Sequence, residues 1–263
     1  MPVKTTLQGG QQTWSWAKTA IGFRPDHLDF ARGIRVGNLE PHERITRILK
    51  TGLEARYGQE FVTERWGRGV FWQWIGFLNR PNRSAKPKSS HVSFGCSKFF
   101  LMVDTDERRF KCGMQVERGY VRAPREAREC QLQSDWDWQR LVAALTPRGP
   151  LMRELKRLAV DEFEVHAGSW SAPHVFRGTN LPGAARLRAL LDTAPPREWC
   201  GFQVYFPMDE HDVQAMNGAD LVDTMMAVFD EVRPAMNACM QVPIEVANRV
   251  VNSTMRSRQD SRQ

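Results

Sequence analysis

The sequence is poor in cysteine: the five cysteines among its 263 residues are an odd number and include no Cys-x-x-Cys pair. Disulfide scaffolds and common zinc ribbons need paired cysteines, so the sequence argues against both. Long hydrophobic runs are also missing, because Phe99–Val103 is far shorter than a membrane span and Met1–Lys18 has no continuous apolar stretch. We therefore expect a cytoplasmic protein that does not contact a membrane.

Familiar catalytic motifs are absent as well. The chain has no Gly-x-Ser-x-Gly nucleophile elbow, no phosphate-binding loop with Gly-Lys-Ser/Thr and no His-Glu-x-x-His. The sequence therefore fixes no reaction, leaves open whether the protein is an enzyme, and gives no reason to expect a cofactor.

What the sequence does have is a clear strand pattern in its centre. Between Arg109 and Glu117 apolar and polar residues alternate strictly, which is typical of a half-buried strand. A second apolar segment ends at Val103, and the intervening Asp104–Arg108 is turn-like, so the two segments predict a long antiparallel hairpin. The alternation places Phe110, Cys112, Met114 and Val116 on the buried face.

Helical periodicity surrounds this hairpin. One helix is expected to start near Pro25 and another to run from Pro41 to Tyr57. A later helix, with a stripe of apolar residues on its core face, is expected to end or kink at Pro234. The predicted fold class is thus α+β, an antiparallel sheet with a long central hairpin flanked by helices. We expect a single domain over residues 21–252, an N-terminal arm over 1–20 and a disordered basic tail over 253–263.

Positive charge is concentrated in one part of the chain. Residues 61–125 carry thirteen Lys and Arg against five Asp and Glu, so their net charge of +8 exceeds the +7 of the whole chain. Aromatic residues are interleaved with these cations, and 29 of the 37 cations of the chain are Arg. Arginine suits bidentate phosphate contacts and aromatic rings suit base stacking, so the segment predicts binding to DNA or RNA.

The centre of this prediction is the cationic, proline-containing loop from Arg80 to His91, in which charge, hydroxyls and amides can meet phosphates. Trp72 and Trp74 are expected to share a face because they are two residues apart in a strand-like segment. The predicted phosphate and base contacts are Arg80, Arg83, Lys86, Lys88, Arg109, Lys111, Trp72 and Trp74.

An acidic segment supports an alternative. If a strand runs from Asp161 to His166, then Glu162, Glu164 and His166 share one face. Carboxylates and an imidazole can hold a divalent metal, so the alternative is a metal-dependent hydrolase or nuclease that uses these three residues as its catalytic site.

A third hypothesis follows from the opposite charge poles. Residues 201–252 carry two Arg against eight Asp and Glu, a net −6. If the basic and acidic segments lie on different faces, they can dock to protein partners or to a second copy. The chain would then be a subunit of an assembly without nucleic-acid contact.

The order of these motifs is similar to that of a bacterial family of conserved hypothetical proteins, a domain of unknown function. Arg80-x-x-Arg83, Lys88-Ser-Ser-His91 and the glycine-containing strand Cys112–Pro124 carry the resemblance, together with the strand and long helix between Glu198 and Met240. Because that family has no assigned activity, the resemblance implies only the α+β fold.

Overall fold

Nine strands form one antiparallel sheet in the part of the chain that this computed structural model describes, residues 22–86, 95–122, 131–132, 136–195 and 197–246. The predicted arm, the predicted tail and Lys88 lie outside these ranges. The strands are β1 Leu28–Asp29, β2 Gly33–Arg35, β3 Phe61–Arg68, β4 Phe71–Asn79, β5 Lys98–Asp104, β6 Arg109–Glu117, β7 Tyr120–Arg122, β8 Gln131–Leu132, β9 Glu164–Ser169, β10 Ala172–Arg177 and β11 Cys200–Asp209. Their order in the sheet is β1-β2-β4-β5-β6-β11-β9-β10, with β3 on the other edge of β4, while β7 pairs with β8.

Helices flank this sheet, as the sequence predicts. They are α1 Ile45–Tyr57, α2 Arg80–Ser84, α3 Asp137–Ala144, α4 Pro150–Val160, α5 Ala184–Asp192, α6 Glu210–Ala215 and α7 Gly218–Asn237, with single 3-10 turns at Pro25–His27 and Gly178–Asn180. In the described ranges, no helix combines the length and apolar character that crossing a membrane requires.

The hydrophobic core lies between the helices and one face of the sheet. Phe99 of β5 stacks on Phe229 of α7 with ring centroids 4.7 Å apart, and both rings are fully buried. The four apolar residues of β6 that the alternation selects belong to the same core. The strands β5 and β6 pair from Lys98 opposite Gln115 to Asp104 opposite Arg109, which confirms the predicted hairpin.

Two sequence-based expectations about secondary structure are wrong. The helix predicted near Pro25 is a single 3-10 turn, because the chain then enters β1, which pairs with β2. The strand predicted from Asp161 begins only at Glu164: the helix α4 continues to Val160, and Glu162 occupies a turn with φ +67°.

A β-bulge separates the two tryptophans of β4. Trp66 pairs with Trp74, but the next residue, Gly67, pairs with Trp72, so Gln73 is an extra residue on β4. A bulge of this kind interrupts the two-residue alternation. Trp72 consequently packs on the core side, and the expectation that it shares a face with Trp74 is wrong.

Candidate functional site

The sheet face opposite the helices carries polar side chains that are nevertheless buried. The strand register places Lys98, Gln115, Gln203 and His166 side by side on β5, β6, β11 and β9. We call these four residues the polar row. None of them is more than 8% exposed, and neighbouring strands are about 4.8 Å apart, so the row extends over about 14 Å.

Hydrogen bonds within the polar row leave part of its bonding capacity unused. The Gln115 Oε1 accepts one bond from Trp74 Nε1 at 3.0 Å and another from Gln203 Nε2 at 2.8 Å. Within the described ranges, the amide nitrogen of Gln115 and the amide oxygen of Gln203 make no hydrogen bond. The His166 Nε2 is buried without a partner there, whereas the two amide atoms are not among the buried atoms that lack a partner. One donor group, one acceptor and one imidazole nitrogen therefore remain available.

The imidazole of the polar row is neutral at pH 7. Burial, together with the positive charge of Lys111 and the neighbouring His174, lowers the pKa of His166 to about 4. Its ring lies against the indole of Trp170 with centroids 4.6 Å apart. A neutral imidazole can donate from one nitrogen and accept at the other.

Two indole rings lie close against glycine backbone at opposite ends of the polar row. A Cβ at Gly76 would lie 2.3 Å from Cη2 of Trp74, and a Cβ at Gly201 would lie 2.0 Å from Cζ2 of Trp170. Only glycine leaves room for an aromatic ring this close to a strand. The polar row is therefore flanked by aromatic surface at both ends.

Both carboxylate oxygens of Glu164, beside His166, are engaged in hydrogen bonds or ion pairs. Its Oε1 accepts from Arg177 Nε at 2.6 Å and from Arg109 Nη1 at 3.3 Å, and its Oε2 accepts from the Tyr205 hydroxyl at 3.0 Å. Burial and this carboxylate raise the pKa of Tyr205. The negative charge is balanced by two guanidinium groups, which leaves no oxygen for a metal ion.

The predicted catalytic triad of residues is not assembled. Glu164 and His166 share the polar face of β9, but Glu162 is exposed in the turn before the strand. In the part of the chain that the structure describes, no three His, Cys, Asp or Glu side chains are arranged to hold a metal ion. The geometry of the described residues gives the metal-dependent alternative no support.

The predicted phosphate contact Lys86 is a core residue. It forms a fully buried ion pair with Asp137, the first residue of α3. This placement contradicts a role in surface phosphate binding, because the ammonium is enclosed and already neutralised. The neighbouring Arg83 is half-buried in the last turn of α2, and Arg80 is exposed but paired with Glu60.

The two predicted contacts on the hairpin are also paired. Lys111 is 7% exposed and binds Asp104 at 2.7 Å and Glu107 at 2.9 Å. Arg109 is shared between Glu164 and Asp209. This end of the hairpin is separated from the α2 end by the length of β5, about 20 Å at 3.3 Å per residue. The sequence-predicted cations thus do not form one surface.

The two predicted stacking residues have different environments. Trp72 is half-buried on the core side, with the Arg65 guanidinium 4.1 Å from its ring centroid. Trp74 is half-buried on the polar face, where it bonds Gln115 and has Lys98 Nζ 5.6 Å from its ring centroid. Of the two, only Trp74 belongs to the polar row's surroundings.

Sequence reasoning did not find the polar row. Alternation in β6 and β11 places Gln115 and Gln203 opposite the apolar residues, but it does not reveal that this face is buried. A signal is present in glycines that interrupt the strands, Gly76 and Gly201, because they mark a close approach of another group to the backbone.

Comparisons with protein-family models, with curated proteins and with solved structures give no match to this chain.

Proposed function

We propose that this protein binds a small, neutral, planar molecule in the polar row, between Trp74 and Trp170. The observation that carries the proposal is the unused bonding capacity of three buried side chains, Gln115, Gln203 and His166. Leaving a buried polar group without a partner costs about 1–3 kcal/mol. This cost applies to the His166 Nε2, which is buried without a partner, and a ligand that supplies its partner recovers that free energy on binding.

The charges on this face favour a neutral ligand. Lys98 is paired with Glu117 at 2.7 Å, Lys111 is paired at the hairpin turn, and Glu164 is balanced by two arginines. A charged ligand would lose its hydration without meeting an uncompensated opposite charge. A neutral ligand has no such penalty.

The groups that remain open define the edge that a ligand must present. The amide nitrogen of Gln115 requires an acceptor, the amide oxygen of Gln203 requires a donor, and the His166 imidazole can take either. Adjacent donors and acceptors on a flat ring are typical of free nucleobases, nicotinamide and related heteroaromatic amides. The indole at either end of the row supplies the aromatic contact that such a ring prefers.

The first test measures binding by isothermal titration calorimetry, with quenching of tryptophan fluorescence as a second readout. The probes are adenine, cytosine and nicotinamide, with benzoate as a planar anion and acetamide as a small amide without a ring. We expect at least one neutral heteroaromatic probe to bind and benzoate not to bind. Failure of all three heteroaromatic probes, or preference for benzoate, contradicts the proposal.

Single substitutions then test whether the ligand binds at the polar row. Gln203→Leu removes the acceptor, and we expect it to weaken binding about tenfold to hundredfold, the equivalent of about 1–3 kcal/mol. Gln214→Leu, on the exposed surface of α6, is the matched control and should leave binding unchanged. Thermal unfolding of both variants separates loss of the site from loss of the fold. Equal binding by folded Gln203→Leu and Gln214→Leu protein would place the ligand elsewhere.

A further inference from the structure

A second feature, independent of the polar row, is the turn at residues 145–149 that joins α3 to α4. Arg188 of α5 donates from Nη2 to the Leu145 carbonyl at 2.6 Å. Arg153 of α4 donates from Nη1 to the Arg148 carbonyl at 2.7 Å. Arg148 itself has φ +63°. The two bonds hold the guanidinium groups of Arg153 and Arg188 against the turn in which Arg148 lies, and we call Arg148, Arg153 and Arg188 the arginine turn.

The arginine turn differs from the cations of the hairpin because it has no carboxylate. Within the described ranges, none of its three guanidiniums lies within ion-pair distance of Asp or Glu. Arg188 Nε is moreover buried without a hydrogen-bond partner there. Arg140 and Arg186 add two exposed cations on α3 and α5 that likewise lack an ion pair in these ranges.

The acidic residues of these helices do not offset this charge. Asp137 is buried with Lys86, and Glu154 is paired with Arg157 at 3.1 Å. Asp192 is exposed at the last position of α5, so it reduces the local excess by a single charge. The surface around the arginine turn retains a net positive charge, which favours binding of an anionic partner.

A second copy of this chain is a poor source of that anion. Three of the six acidic residues of α6 and α7 are already neutralised within their own molecule: Glu210 binds Arg108, Asp230 binds Arg56 and Glu231 binds Arg157. Head-to-tail docking that uses the whole acidic pole would require those three ion pairs to exchange. The structure thus favours a partner with its own fixed negative charges.

We infer that the arginine turn contacts the phosphate backbone of a nucleic acid. Guanidinium groups bind phosphate oxygens in bidentate fashion, and several of them on adjacent helices can meet successive phosphates. An anionic membrane is a weaker fit, because surface helices that bind membranes insert apolar side chains. Among large hydrophobic side chains that are exposed in the described ranges, Val160 alone lies on α3, α4 or α5. The predicted partner class is thus retained, but through residues that the sequence did not indicate.

The test measures binding of fluorescently labelled 20-mer duplex DNA and single-stranded RNA at several salt concentrations. The variant is Arg148→Gln/Arg153→Gln/Arg188→Gln, in which glutamine can still donate hydrogen bonds. Each phosphate contact on duplex DNA contributes about −0.9 to the log-log salt slope. If the wild-type protein binds duplex DNA, the triple variant should therefore reduce the magnitude of its slope by about 2.7.

The matched control removes three exposed arginines that are already paired, Arg24→Gln/Arg32→Gln/Arg80→Gln. It changes the net charge equally but should leave the slope unchanged. Thermal unfolding shows whether each variant is folded. Equal slopes for the two triple variants contradict the inference, as does a wild-type protein that binds neither probe at 50 mM salt. Binding to phosphatidylserine vesicles in preference to both nucleic acids also contradicts it.

Discussion

Lys86→Ala should lower the free energy of unfolding by about 3–5 kcal/mol, although in the sequence Lys86 is one of several cations in a basic loop. The reason is its ion pair with Asp137, in which both side chains are fully buried. Removing the ammonium leaves a carboxylate without its counter-ion in a place that water does not reach. An isolated buried charge is among the most costly defects in a protein interior.

The carboxylate of this pair also holds distant parts of the chain together. Asp137 Oδ2 accepts from Asn82 Nδ2 at 2.8 Å and from the Ser97 amide at 2.6 Å. The Asn82 Oδ1 in turn accepts from the amides of Gln241 and Val242 at 3.1 and 3.0 Å. The network therefore joins α2, α3, the residue before β5 and the segment after α7, so its loss affects several elements at once.

Chemical denaturation with urea measures this effect, with Arg80→Ala as the matched control. The Arg80 ion pair with Glu60 is exposed, and removing such a pair typically costs less than about 1 kcal/mol. If Lys86→Ala does not fold, Lys86→Leu/Asp137→Leu provides the second measurement, because replacing both members of a buried pair by apolar residues is often tolerated. Equal unfolding free energies for Lys86→Ala and Arg80→Ala would show that the pair is not buried in solution.

This contrast shows what the sequence can and cannot predict. The hairpin of β5 and β6 was predictable because alternation and turn residues are local signals, and the stripe of α7 is local in the same way. The partner of Lys86 is 51 residues away, and no local pattern links the two. Charge counting treats Lys86 and Arg80 alike, whereas the fold encloses one and exposes the other.

The candidate site was hidden for the same physical reason. The alternation in β6 separates Gln115 from the apolar residues, but a polar residue opposite a core is normally solvent-exposed. Its neighbours in the polar row come from β11 and β9, which supply Gln203 and His166 from residues far along the chain. The bulge that turns Trp72 away from Trp74 is equally invisible to a two-residue period. The strand face of His166 was predictable, but its neighbours were not.

The buried imidazole of His166 predicts a second large effect, a loss of stability in mild acid. Its pKa is about 4 in the folded protein and close to 6.5 in the unfolded chain. Protonation therefore favours the unfolded state, so the contribution of this residue is complete above pH 6.5 and is lost as the pH falls towards 4. A difference of 2.5 pKa units corresponds to about 3 kcal/mol.

His27 acts in the same direction, because burial lowers the pKa of its fully enclosed ring. The wild-type protein should thus lose stability between pH 6.5 and 4 by more than His166 alone explains. A variant at His166 removes only its own share. The comparison must therefore use the difference between wild type and the His166 variant in how much unfolding free energy each loses on acidification. The loss of the wild-type protein alone is not sufficient.

Urea denaturation of wild type, His166→Phe and His211→Phe at pH 7 and pH 4.5 isolates that share. Phenylalanine retains a ring beside Trp170 but cannot be protonated, so His166→Phe should lose about 2–3 kcal/mol less than wild type on acidification. His211 is exposed on α6, and its variant should follow the wild-type protein. Parallel behaviour of all three proteins would mean that the His166 ring is already in contact with water. Its Nε2 would then be hydrated and would not be available to a ligand in the way that the proposed binding site requires.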